Sequence, residues 1–140
     1  MARNSIHIAV PTDAVWSVLE NPFAYPRWIV GADRTLEADA SWPTPGSRFK
    51  VRLAGGAEDF TESLEVADGE RIVVNAAAGI FGPARVTIVL RPESAGTRVT
   101  MVEDPAGKLA LLRAVPPVHL ALRVRNAESL RRLRRLALAR

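Results

Sequence analysis

Val118–Arg140 reads VHLALRVRNAESLRRLRRLALAR, with no Gly or Pro and with Ala, Leu and Arg, all strong helix formers, in the majority. Pro117 fits the first turn of the helix this predicts, where a missing N–H is no loss. At ~1.5 Å per residue the helix is roughly 35 Å long, enough to cross a small domain. Stepping about 100° per residue puts His119, Arg123, Asn126, Leu130, Leu133 and Ala137 on one stripe, flanked by Leu122 and Ala127. Arg125, Glu128, Arg131, Arg132 and Arg135 fall opposite. The C-terminal half of the stripe reads as core; its N-terminal half puts three polar side chains where Leu is expected.

Upstream of this helix the pattern is that of a sheet. Ser5–Val10 alternates, with Ile6, Ile8 and Val10 on one face and His7 on the other. Pro11–Thr12–Asp13 opens a short helix carrying Val15, Trp16, Val18 and Leu19, which Asn21–Pro22 ends, and Pro22–Trp28 adds a second short helical stretch. Six further strands are predicted: Asp33–Ala40, Arg48–Leu53, Glu58–Val66, Arg71–Ala78, Arg85–Arg91 and Arg98–Asp104. Gly55–Gly56, Asp68–Gly69, Gly79–Pro83 and Ser94–Gly96 supply the turns. Such short connections make the meander antiparallel. One face of the sheet must be covered, and the last helix is the element long enough to do it. The expected class is α+β: a curved seven-stranded antiparallel sheet around a long C-terminal helix, with residues 1–140 forming one domain.

Composition narrows the chemistry. The 140 residues contain no cysteine, which excludes disulfides, thiol catalysis and thiolate-held metals. His7 and His119 stand far apart, with no HExxH motif or carboxylate cluster at metal spacing, and no G-x-S-x-G elbow is present; no metal or cofactor is expected. No apolar stretch approaches ~18 residues and MARNSIHIAV lacks a signal-peptide core, so the expected location is cytoplasmic. The net charge is +4, and the whole basic excess lies on the last helix, where seven Arg face Glu128 alone. A pI of about 10.6 invites a nucleic-acid reading. Without a stacking platform or helix-turn-helix, a solvated helix face explains it more simply, with peripheral contact to an anionic lipid surface left open.

The element order, the segment VPTDAVWSVLENPFAYPRWIVGADR, the strand TRVTMVEDP and the closing RNAESLRRLRRLA together resemble the SRPBCC superfamily, with its START, Bet v 1-like and polyketide cyclase/dehydrase-like members. The resemblance spans essentially the whole chain and implies a helix-grip fold. It implies an apolar cavity between sheet and final helix, with its mouth toward the N-terminal half of that helix. It further implies that cyclases of this kind act mainly by holding a reactive chain in a shaped cavity, so the missing catalytic triad weighs against the enzyme reading without excluding it.

Within that frame Phe49, Val51, Phe60, Val74, Ala76, Ile88 and Met101 are expected on the cavity wall, and Glu62, Glu103, His119, Arg123 and Asn126 as its polar groups. Glu62 also reads as a strand end, bulge or wet wall, and Glu103 as half of an ion pair with an Arg such as Arg123. Arg123 has the alternative of snorkelling to solvent, and Asn126 that of bonding a loop carbonyl. Ile80 and Phe81, apolar at a turn tip, are candidate gate residues. Glu103, His119 and Arg123 are the candidate catalytic groups. The expected function is binding of a small hydrophobic or amphipathic ligand (a lipid, polyketide or aromatic compound) by a monomer or weak homodimer. A cyclase/dehydratase acting in the same cavity and an interaction module docking through Ile80–Phe81 or the Arg face are the alternatives.

Overall fold

A computed structural model describes residues 1–76, 83–105 and 115–139 of the chain. Strand β1 (Ala2–Ile8) leads into helix α1 (Thr12–Leu19), a 3-10 turn (Pro22–Ala24) and the one-turn helix α2 (Tyr25–Trp28). Strands β2 (Ala32–Ala38), β3 (Arg48–Leu53), β4 (Glu58–Ala67), β5 (Arg71–Ala76), β6 (Ala84–Glu93) and β7 (Gly96–Pro105) follow, and helix α3 (Pro116–Leu138) closes the chain. The strands form one curved sheet of seven in the order β1-β7-β6-β5-β4-β3-β2, every neighbouring pair antiparallel. The expected α+β helix-grip architecture is therefore the observed one. Ala78 and the apolar tip Ile80–Phe81 lie outside the described residues.

Alternation dictates most of the sheet. Register places Ile72 opposite Ile88 and Ile88 opposite Met101, so the apolar positions of β5, β6 and β7 share the concave face. Ile8, Ile72, Ile88, Val99 and Met101 are buried there with Val15, Trp16, Val18, Leu19 and Trp28 from the short helices. Leu130, Leu133 and Ala137 of α3 belong to the same cluster. Each Leu or Ile buried in this way contributes about 1.5–3 kcal/mol relative to an exposed position.

Two expectations about faces are corrected. Straight alternation put Phe60, Glu62, Leu64 and Val66 together. A β-bulge between Ser63 and Glu65 instead adds one residue to β4, so the faces switch midway. Thr61, opposite Phe49, and Ser63 face inward before the bulge, and Val66, opposite Ile72, does so after it. Phe60 and Glu62 lie on the convex face, where the Arg48 guanidinium sits 4.1 Å from the Phe60 ring centroid and Glu62 stands opposite Arg48.

The second correction concerns the phase of α3. The helix runs unbroken through Asn126 as expected, but it is rotated by a few tens of degrees. Leu122, Asn126, Ser129, Leu130, Leu133 and Ala137 are its buried residues, while Arg123 is exposed. The apolar contribution of Leu122 and the packing of Ser129 decide that rotation. The Ser129 hydroxyl accepts from the Val30 N–H at 3.0 Å, tying α3 to the segment after α2.

Candidate functional site

Between α2 and the concave faces of β3 to β6 lies a cavity of about 50 Å³. Phe49, Val51 and Leu53 alternate inward along β3; Val74 and Ala76 do so on β5, and Val86 and Ile88 on β6. Tyr25 and Ile29 cover them from α2 and its C-terminal cap, Ala32 closes one side, and Thr61 enters from β4. A water needs about 10–15 Å³ of such space, so the cavity has room for a small group of heavy atoms. It is far below the roughly 300–1,000 Å³ that encloses a drug-sized ligand.

The closed end is aromatic. The Tyr25 ring lies 4.8 Å from Phe49 and 5.0 Å from Trp28, and Trp42 packs edge-on against Phe49 at 4.7 Å. Tilted and edge-to-face pairs of this kind add about 0.5–1.5 kcal/mol each beyond area burial. Burial pushes the Tyr25 hydroxyl well above the usual phenol range, so it is a neutral donor at any physiological pH. The indole N–H groups of Trp28 and Trp42 are buried without a hydrogen-bond partner among the described residues.

Of the residues expected on the wall, Phe49, Val51, Val74, Ala76 and Ile88 line the cavity. Met101 is buried in the core on β7, outside the lining. Phe60 and Glu62 are turned to the other face by the bulge, and Ile80 and Phe81 lie outside the described residues. Leu53 and Val86 follow from strand alternation alone. Tyr25, Ile29, Ala32 and Thr61 do not: Tyr25 and Ile29 come from the α2 segment, which has no sheet periodicity, Ala32 precedes the strand expected from Asp33, and Thr61 alternates with Phe60, which was expected on the wall.

The polar residues expected at the mouth form a separate cluster on α3 and β7. Glu103 is 3% exposed on the inward face of β7. It accepts from Arg125 Nη2 at 2.6 Å and from Asn126 Nδ2 at 3.2 Å. The anticipated pairing with an arginine is present, but the partner is Arg125, from the side of the helix assigned to solvent, and not Arg123. The same rotation of α3 explains both outcomes. The Arg123 carbonyl accepts from Asn4 Nδ2 at 3.0 Å while its side chain points outward. Asn126 bonds Glu103 and not a loop carbonyl, and His119 is half-buried in the first turns of α3. None of Glu103, His119, Arg123 and Asn126 lines the cavity.

On the basic helix face three arginines converge on one carboxylate. Arg131 donates to Glu128 at 2.8 Å, and Arg132 and Arg135 approach the same carboxylate at 3.4 and 3.5 Å. The Arg131 hydrogen bond is the main reason the Glu128 carboxyl sits below its usual range. Among the described residues there is no group of His, Asp and Glu able to hold a metal, and no helix is long and apolar enough to cross a membrane.

Comparison with known proteins agrees with this geometry. A Chromobacterium violaceum protein of known structure is 25% identical over 96% of this chain and 94% of its own, with a TM-score of 0.69. An Arthrobacter aurescens protein, 12% identical, superposes over 99% of this chain and 86% of its own with a TM-score of 0.71, a likeness of fold alone. DynU16, from the dynemicin biosynthetic locus, matches 96% of this chain at 19% identity and a TM-score of 0.70, the match covering 45% of DynU16. No curated protein matches the chain. The family model for polyketide cyclase/dehydrase and lipid transport proteins matches residues 2–137, and by that match across nearly its whole length the chain belongs to that family.

Proposed function

We propose that this protein binds a small hydrophobic or amphipathic molecule, such as a lipid, polyketide or aromatic compound, with its apolar end seated between α2 and the sheet. The observation that carries the reading is a walled apolar cavity, built from five strands and the α2 segment, in a fold whose family description names both transport and cyclisation. Apolar burial supplies affinity of about 25 cal/mol per Å² without demanding a particular direction. The volume admits an apolar end only. A larger ligand enters by displacing Ile29, Ala32, Leu53, Ala76 and Val86, the wall residues that are only half-buried.

Binding is favoured over catalysis by what the wall lacks. Among the described residues no carboxylate, His, Lys or Arg lines the cavity, and Tyr25 is its one titratable group. With its pKa raised by burial, Tyr25 can donate a hydrogen bond but is a poor general base at neutral pH. A cyclase/dehydratase in this cavity would therefore work by confining its substrate's shape.

The test is a ligand-observed NMR titration with toluene and naphthalene on wild type and Ala76→Trp. Tm measurement shows that the variant folds, and Ala76→Phe replaces it if it does not. Binding to wild type and loss of binding in the filled variant is the expected result. Equal binding to both locates the contact on the surface and rejects the cavity. Native mass spectrometry of protein purified from its own host then identifies a co-purified ligand by mass.

A further inference from the structure

We infer that the outer face of α3 docks on an anionic lipid surface, Leu120 and Val124 entering the headgroup region while exposed arginines of the helix hold phosphate. The docking face is separate from the cavity, which lies between α2 and the sheet.

Helix α3 turns Leu122, Asn126, Ser129, Leu130, Leu133 and Ala137 inward. On its far side Leu120 and Val124, one turn apart, are 62% and 61% exposed, and Leu138 is 50% exposed. At about 100° per residue, Leu120, Val124, Arg131 and Leu138 fall within about 40° of one another and make one ridge. Arg123 and Arg134 run along one side of that ridge and Arg135 along the other, all three exposed. A lone exposed aliphatic side chain is ordinary on a protein surface; a Leu and a Val one turn apart among arginines form an amphipathic patch.

The charge of this face is not cancelled within the helix. Six arginines between Pro116 and Leu138 stand against Glu128 alone. Arg125 is taken by Glu103, and Glu128 offsets one of the other five, so the outer face keeps a positive excess.

The aliphatic pair separates the occupants that a basic face could take. A nucleic acid would pair its phosphates with the arginines but gives Leu120 and Val124 no apolar partner. A second copy of the same face would set arginine against arginine across a two-fold contact. An anionic bilayer meets both halves of the patch: lipid phosphates accept from the guanidinium groups, and the acyl boundary takes the aliphatic side chains. Among the described residues no helix is long and apolar enough to cross a membrane, so the contact is peripheral.

The test is flotation of the full chain with vesicles of phosphatidylcholine alone and of phosphatidylcholine with about 30% phosphatidylglycerol, the anionic lipid supplying the surface potential. Wild type should bind the anionic vesicles, fail to bind the neutral ones, and be released as salt rises. Arg123→Gln and Arg134→Gln should each weaken binding by about fivefold, the worth of one basic side chain near such a surface. Leu120→Ser/Val124→Ser should weaken it by about tenfold or more through lost apolar burial, with Tm unchanged; Val124→Ser alone replaces the pair if Tm falls. Arg91→Gln, an exposed arginine on strand β6, should leave binding as it is. No binding to anionic vesicles overturns the inference, as does full binding by the Leu120/Val124 variant or an equal loss in Arg91→Gln, which would mean diffuse charge attraction. Tighter binding to duplex DNA or to polyglutamate than to anionic vesicles also overturns it, in favour of a nucleic acid or an acidic protein. In every case the cavity reading stands or falls by its own titration.

Discussion

Arg125 and Arg123 are two residues apart on the same helix, yet their truncation should have opposite consequences. In Arg125→Leu the Glu103 carboxylate, 3% exposed, loses a charge-assisted hydrogen bond of 2.6 Å. Removing one partner of a fully buried ion pair costs about 3–5 kcal/mol. That upper range is discounted here because the Arg125 side chain is 29% exposed and Asn126 still donates to the carboxylate at 3.2 Å. A loss of about 1.5–3 kcal/mol is the resulting expectation, the worth of a hydrogen bond to a charged group. Arg123→Leu removes an exposed side chain and keeps the backbone carbonyl that Asn4 bonds, so it should change stability by no more than about 0.5 kcal/mol. Urea unfolding followed by tryptophan fluorescence measures both, and the buried Trp28 makes the signal sensitive to core opening. The double variant Arg125→Leu/Glu103→Gln should lose clearly less than the sum of its single changes, because the two groups interact directly. A loss in Arg123→Leu equal to that in Arg125→Leu, or strict additivity of the pair, would refute both the phase of α3 and the ion pair.

Along the same helix, Leu130→Ala and Leu133→Ala should each cost about 2–5 kcal/mol, being 1% and 0% exposed, whereas Arg134→Ala should fall within about 0.5 kcal/mol of wild type by thermal unfolding. Ser129→Ala leaves the Val30 N–H without its acceptor and should cost about 1–3 kcal/mol, with amide exchange at Val30 accelerated; unchanged exchange would exclude the tie between α3 and the segment after α2. Glu128→Gln should lower the urea midpoint at pH 7. Because the folded-state pKa of Glu128 is depressed by Arg131, its contribution is present above the unfolded carboxyl pKa and fades as pH falls through the folded value. Wild type and variant should therefore converge in acid, and a difference that persists at low pH would show that the carboxylate charge is not responsible.

Most of the architecture was legible from residue order because it follows from local rules. Alternation at Arg48–Leu53 and Arg71–Ala76, Gly-containing turns between strands and a Gly- and Pro-free stretch from Val118 fix which segments are strands and helix, and short connections force antiparallel pairing. Phe49, Val51, Val74, Ala76 and Ile88 follow from that pattern, since a period of two assigns each inward residue without knowledge of its neighbours. What escaped were the places where a long-range contact breaks a local period. The bulge at Ser63 and Glu65 depends on how β4 meets β5, and it alone moves Thr61 inward and Phe60 and Glu62 out. The rotation of α3 by a few tens of degrees is too small to read from helical periodicity. It is decided by Leu122 packing and by Ser129 meeting Val30, and it exchanges Arg123 for Arg125 as the partner of Glu103. Tyr25 reaches the cavity because α2 folds over the sheet, a contact between segments with no common period. Composition and pattern thus determined the scaffold, whereas the identity of its polar groups waited on register and helix phase, which are set by packing across the whole chain.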